Sequence, residues 1–252
     1  GENGAGKSTL MNMLSGIYNP DSGSIYVEGR KVSYTSPKDS IELGIGMIHQ
    51  HFKLVDVLTA EENIILGQKK RKSKGKDLTN EIKELSDKYG LDVNPTKKVY
   101  DMSVSEKQTL EIIKVIYRGA GILILDEPTA VLTPQEIEKL FRIMRKMKEQ
   151  GAAIIIITHK LNEVMEISDR VTVLRKGKSV GTVETNKTDV ATLIELMVGK
   201  KVDLEIQREE GPQAEKLLYL DDITVLDPEG KNALENVSFD LKGGEILGVA
   251  GV

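Results

Sequence analysis

Three short stretches of this sequence carry residue types that could act on a chain of phosphates. The first, GENGAGKST at residues 1–9, fits the spacing G-x-x-x-x-G-K-[ST] at Gly1, Gly6, Lys7 and Ser8, and TLMNMLSG after it is apolar at helical spacing. Glycines let backbone N–H groups turn inward around phosphate oxygens, Lys7 supplies charge near the β and γ positions, and the Ser8 hydroxyl can hold Mg²⁺. The second stretch is ILILDEP, Ile122 to Pro128, an apolar strand ending in two carboxylates. Asp126 can orient Mg²⁺ and its waters, while Glu127 is placed to polarise an attacking water. The third is His159, which follows AAIIIIT. In a parallel sheet the carboxyl ends of strands share one edge, so His159 can lie near Asp126, Glu127 and the loop and sense a γ-phosphate. Each stretch also has a plainer reading: a Gly-rich turn that only caps a helix, an acidic helix N-terminus, a satisfied structural histidine. Their occurrence in one chain favours the chemical reading.

Such residues need a frame that brings strand ends together, and the pattern provides one. Helices alternate with β-branched apolar runs, which argues for an α/β domain with a mainly parallel sheet. Gly121 to Leu125 and Ala152 to Thr158 lack polar alternation, as expected of central strands covered on both faces. Between them Thr133-Pro134 opens a helix, with Ile137, Leu140, Phe141, Met144 and Met147 at helical spacing. Gly23 to Val32 reads as a hairpin turning at Glu28-Gly29, and Gly46 to Gln50 as a short strand. From Thr59 to Arg118 the composition shifts to Lys, Glu and helix formers, with one helix ending at Gly90, and reads as a helical insertion. Beyond Ser168 come the strand Arg170 to Arg175, a Lys176-Gly177 turn and a helix from Thr188 to Val198. Residues 203–216 are polar and contain Gly211-Pro212, as a linker would. From Leu217, LLYLDDITVL and KNALENVSFDL read as antiparallel strands and Glu245 to Val249 as a further buried strand.

The chain has 252 residues, a formal net charge of −4, three histidines and no cysteine. These figures exclude disulfide and thiolate chemistry and leave little for a protein-only metal cluster, so any metal is expected to arrive with a ligand. The acidic balance argues against a general nucleic-acid binder. KKRKSKGK, Lys69 to Lys76, is the local exception. It reads as a solvated loop ahead of a nucleic-acid patch or a contact for anionic lipid headgroups. No apolar run approaches a membrane span, and a soluble, intracellular protein is expected.

These motifs, in this order, resemble those of the nucleotide-binding subunits of ATP-binding cassette (ABC) transporters, over residues 1 to about 200. The resemblance implies a P-loop NTPase (RecA-like) core with a helical insertion subdomain and an antiparallel β subdomain, and ATP with Mg²⁺ as ligands. Gly1, Asn3, Gly4, Ala5, Gly6, Lys7, Ser8 and Thr9 then fall in the Walker A contact with ATP. Asp126 ends Walker B, Glu127 is the catalytic base and His159 the switch histidine. Gln50, in IGMIHQHFKL, is the Q-loop glutamine that touches Mg²⁺ and couples ATP to the membrane subunit; with Ser8 and Asp126 it makes up the metal set. The family's LSGGQ signature aligns with Met102 to Glu106, where both glycines are replaced. Ser103 keeps the hydroxyl that approaches the γ-phosphate of the opposite domain, with Ser105 beside it. Ser103 and Glu106 also form S-x-x-E, a helix-capping box, and both roles are open to them. Ala130 to Thr133 replaces the family's SALD, so communication between sites is expected to differ. No aromatic in the sequence is matched to adenine stacking.

HQHFKLV and DEPTAVLTPQE resemble the importer branch for nucleosides, ribose and galactose, whose members carry two cassettes in one polypeptide. On that resemblance residues 1–202 are a first nucleotide-binding domain and 217–252 open a second, the chain running from one phosphate loop to just before the next. The partners implied are transmembrane permease subunits, the second ABC domain, and a substrate-binding lipoprotein indirectly, with no nucleic acid, at the cytoplasmic face of the membrane. The tail Glu245 to Val249 is expected to fold back into a sheet position beside Ile122 to Leu125. Two rivals stand beside the importer ATPase: a soluble ABC-type switch acting on ribosomes or DNA, and an inert nucleotide-binding fragment.

Overall fold

In the computed structural model the chain is described at residues 4–50, 52–68, 77–200 and 215–249. Gly1, Asn3, the basic run Lys69 to Lys76 and most of the expected linker, 203–214, lie outside the described residues. The chain divides into two units, Gly1–Val202 and Asp203–Val252.

The first unit begins with α1 (Lys7–Leu14), then β1 (Ile25–Val27) and β2 (Arg30–Val32), paired antiparallel. Their turn has positive φ at both Glu28 and Gly29, the twist that two-residue hairpins require. Next come α2 (Pro37–Glu42), β3 (Ile45–Ile48), α3 (Ala60–Ile65), α4 (Leu78–Tyr89), α5 (Val104–Tyr117) and β4 (Ile122–Asp126). They are followed by α6 (Pro134–Glu149), β5 (Ala153–Ile157), α7 (Leu161–Ile167), β6 (Arg170–Arg175), β7 (Lys178–Glu184) and α8 (Val190–Val198). The helix boundaries follow the local chemistry. Thr59, Ser103 and Thr133 each form a full capping box with the glutamate three residues on, and Gly90 ends α4 in the left-handed conformation.

Strands β3, β4 and β5 form a parallel sheet in that order, with Ile48 opposite Leu125 and Asp126 opposite Ile157. Alternation along β4 divides the core between its two faces. Ile124 packs with Met11 of α1, Ile45 and Ile157, whereas Leu123 and Leu125 join Phe141, Leu140 and Met144 of α6 and Leu110, Ile112 and Ile113 of α5. The phosphate-loop helix therefore lies on one face of the strand that carries the acidic pair. A satellite core of Val164, Val173 and Leu193 joins α7, β6 and α8.

Two expectations are corrected here. The run at 152–158 is not a central strand among the described residues: β5 pairs only with β4, and its isoleucines 154 to 156 are half-buried. An unbroken apolar run suits a strand covered on both faces but does not report how many edges are paired. Nor is there a vacant place beside Ile122 to Leu125, because β3 and β5 occupy both edges of β4.

Gly46 of β3 is fixed by packing. A Cβ there would collide with Val115 Cγ1 of α5 and lie 3.0 Å from Ala120 Cβ. Gly46→Ala is expected to cost about 1–3 kcal/mol through overpacking. Urea denaturation should show a lower midpoint with an unchanged slope.

The second unit contains β8 (Lys216–Leu226) and β9 (Asn232–Lys242), an antiparallel pair with register shifts near Leu218, Ile223 and Val225. Residues 245–249 are not a strand, contrary to expectation. The Glu245 amide instead donates to Lys242 O, closing a turn. Strand-like composition needs a ladder partner before it becomes a strand.

Candidate functional site

The phosphate loop enters α1 through Gly6, whose φ of 95° is left-handed and open to glycine at little cost. Gly6 is the N-cap and has no side chain with which to cap the helix, whereas Ser36, Thr59, Asp77, Ser103, Thr133 and Asp189 each cap their own. The first-turn amides at Lys7, Ser8 and Thr9 therefore suit an anion. Ser8 and Thr9 are exposed, Lys7 is half-buried and Ala5 is buried. A contact distant in sequence supports the loop: Gly177 N donates to Ala5 O at 3.2 Å, and a Cβ on Gly6 would lie 3.6 Å from Gly177 Cα. The β6–β7 turn thus braces the loop from behind, a role that the dipeptide Lys176-Gly177 does not announce.

Asp126 is the last residue of β4 and Glu127 the first beyond it. Burial pushes the Asp126 carboxyl above its usual value, the charge of Glu127 adds to this, and His49 and Lys7 pull it back. The sheet register also explains His49. β3 ends at Ile48, opposite Leu125, so His49 is the first residue beyond β3 and Asp126 is the residue after Leu125 on β4. Gln50 follows and is exposed.

Glu127 has a φ of 48°, in the left-handed region that a glutamate avoids by roughly 1–3 kcal/mol. The conformation is held by Glu127 N donating to Ile157 O at 2.9 Å and by Ala130 N donating to Glu127 O at 3.2 Å. In this conformation Glu127 Oε2 lies 2.8 Å from His159 Nδ1. The acidic strand end and the histidine 32 residues later in sequence therefore form a pair, as expected of neighbouring parallel strands. The glutamate is mostly buried, and the imidazole is largely exposed and able to face an incoming ligand.

Ser103 lies elsewhere in the unit, as the N-cap of α5. Its Oγ accepts from Glu106 N at 3.2 Å while Glu106 Oε2 accepts from Ser103 N at 2.7 Å. Lys97 Nζ holds the same carboxylate at 2.7 Å and, with Ser103 N, keeps the Glu106 pKa low. The capping bond uses the hydroxyl oxygen as acceptor and does not use its proton. Ser105, in the first turn of α5, is half-buried, and its carbonyl accepts from Thr109 Oγ1.

Among the described residues no group of three or more His, Cys, Asp or Glu could hold a metal ion. Ser8 and Asp126 offer oxygen donors, and the charge of Glu127, second to burial in raising the Asp126 carboxyl, is one that a hard divalent cation would offset. The residues fit such an ion. No helix among the described residues is long and apolar enough to cross a membrane.

Comparison with known proteins agrees with this geometry. The family model described as ABC transporter matches residues 1–130. The nucleoside import ATP-binding protein NupA of Lactococcus lactis subsp. cremoris is 47% identical over the whole chain, which covers 50% of that protein. The guanosine import ATP-binding protein NupO of Bacillus subtilis is 49% identical over the whole chain, again 50% of that protein. The chain spans about half the length of these curated relatives. Among solved structures, cbiO1 from Clostridium perfringens, part of the ABC transporter complex cbiONQ, superposes with a TM-score of 0.65 at 26% identity, covering 79% of this chain and 82% of that one. The α/β frame, the phosphate loop and the matched family model agree, and the chain belongs to the ABC transporter family.

Proposed function

We propose that this chain is the ATP-binding and hydrolysing part of an importer for nucleosides or simple sugars. The observation that carries the reading is the Glu127–His159 pair, 2.8 Å apart, which joins the ends of two neighbouring parallel strands beside Asp126. The names of the two relatives, nucleoside and guanosine import proteins, favour nucleosides over sugars and favour import over a switch acting on ribosomes or DNA.

In this reading the loop amides, with Gly1 and Asn3 completing the loop, and Lys7 bind the phosphates of ATP and meet charge that develops on the transferring phosphoryl group. Glu127 accepts a proton from the attacking water and orients it, and His159 holds Glu127 in place while presenting its ring to the γ-phosphate. Ser8, Asp126 and Gln50 would hold Mg²⁺, which supplies charge neutralisation across the phosphate oxygens. Ser103 and Ser105, at the start of α5, would contact the nucleotide held by a second ABC domain, so the functional unit is a pair of cassettes. Permease subunits are the membrane partners, a binding lipoprotein acts through them, and the cassette sits peripherally at the cytoplasmic face.

Reconstitution tests this directly. With its permease partners in vesicles, the full-length protein should take up labelled nucleoside only when ATP is supplied on the cassette side, and affinity capture should recover a multi-spanning membrane protein. Capture of ribosomes or DNA, or ATP binding without turnover in the complete assembly, would refute the proposal.

A further inference from the structure

The Glu127–His159 pair depends on two loops keeping their spacing, and a buried carboxylate joins those loops. Glu163, in the first turn of α7, is 8% exposed. Its Oε2 accepts from Thr129 Oγ1 at 2.6 Å and from Thr158 Oγ1 at 3.2 Å. Thr129 stands two residues beyond Glu127 and is 0% exposed; Thr158 immediately precedes His159 and is 7% exposed. The other oxygen, Oε1, pairs with Lys160 Nζ at 3.0 Å, and the same ammonium donates to Thr129 O at 3.1 Å. Lys160 N donates to Thr158 Oγ1 at 3.0 Å. One side chain thus receives hydrogen bonds from the segment after the proposed base and from the segment before the histidine, away from water.

We propose that Glu163 is a positioning residue that fixes the separation of Glu127 and His159 by fastening the Thr129 loop to Thr158. A neutral threonine hydroxyl is held more strongly by a carboxylate than by a neutral acceptor. Burial raises the penalty for losing it, because the two hydroxyls would then lack their acceptor. Glu127 also sits in a backbone conformation that relaxes if its surroundings loosen. Releasing the clamp should let that backbone move and lengthen the Glu127–His159 contact. The phosphate loop, on a different element, would stay intact. The proposal rests on the hydrolytic reading of the site.

The test is ATP turnover and ATP binding in the full-length protein with its membrane partners. Glu163→Ala and Thr129→Val should each lower kcat by about 10- to 100-fold, the scale of a small misplacement of catalytic groups. KM and ATP affinity should stay within about twofold, since phosphate binding is untouched. Thr129→Ser, which keeps the hydroxyl, should recover turnover to within about threefold, and Glu163→Gln should fall between. In a His159→Ala background Glu163→Ala should add little, because the spacing no longer matters. Turnover of Glu163→Ala within about threefold of wild type would overturn the clamp. So would an undiminished further loss in the His159→Ala background, or a parallel loss of ATP affinity and melting temperature across all variants, including Thr129→Ser. Wild-type protein that fails to hydrolyse ATP would overturn the functional reading and the clamp with it, whereas normal wild-type turnover confines a failure to the clamp.

Discussion

Glu127→Gln is expected to abolish steady-state ATP hydrolysis while leaving ATP binding intact, a loss of about 10²–10⁴ in kcat for removal of a general base. The substitution is informative because it preserves shape. A glutamine Oε can still accept from His159 Nδ1, so the 2.8 Å contact and the left-handed backbone at residue 127 have no reason to change. What disappears is the negative charge that orients water and takes its proton. The amide also removes the charge next to Asp126 that helps to raise that carboxyl, so a cation-holding role for Asp126 would be unaffected or improved. The measurable signature is a nucleotide-bound form that accumulates without phosphate release.

Lys7→Ala should act on binding and chemistry together. A charge-assisted bond to phosphate is worth about 1.5–3 kcal/mol, against about 0.3–1 kcal/mol for the helix dipole alone. The loop amides therefore cannot replace the lysine. ATP affinity should fall by roughly 10- to 100-fold, and kcat should fall further, because phosphoryl charge grows in the transition state. A second consequence follows from Lys7 being one of the charges that hold the Asp126 carboxyl down. Without Lys7 that carboxyl rises further above the usual range, so the share of charged Asp126 is lost at a higher pH than in wild type. Turnover that survives in the variant should accordingly decline sooner as pH falls, and a pH profile of wild type and variant side by side checks this.

The sequence discloses those features whose physics is local. GENGAGKST, the acidic end of ILILDEP, the Glu28-Gly29 turn and the Thr133-Pro134 helix start each lie within a few residues, and composition alone implies their conformations. The pairing of Glu127 with His159 is a middle case. It requires the parallel sheet as an intermediate step, and the alternation of helices and apolar runs supplies that step. The clamp at Glu163 was not legible, because Thr129, Thr158 and Glu163 are ordinary surface residue types whose burial arises only when two strand ends and α7 meet. The brace from Gly177 to Ala5 is hidden from the sequence for a similar reason: its two residues are far apart in the chain and either would pass as a turn. His49 carries a weaker signal: it directly follows the short apolar run that forms β3, whose last residue pairs with the one before Asp126. The expected strand that does not form at 245–249 and the half-buried β5 show the limit of apolar runs as signals. Hydrophobicity reports that a segment should be covered and is silent on which neighbour covers it.

If a lysine, main-chain amides and an acidic strand tip together hold the triphosphate end of a nucleotide, affinity must depend on the phosphates. Calorimetric titration of the full-length protein with ATP and, separately, with adenosine addresses this most directly. ATP should bind at least about 100-fold more tightly than adenosine, with the difference shrinking when Lys7 is replaced by alanine. Equal affinity for the two ligands, or a preference for ATP that Lys7→Ala leaves unchanged, would contradict it.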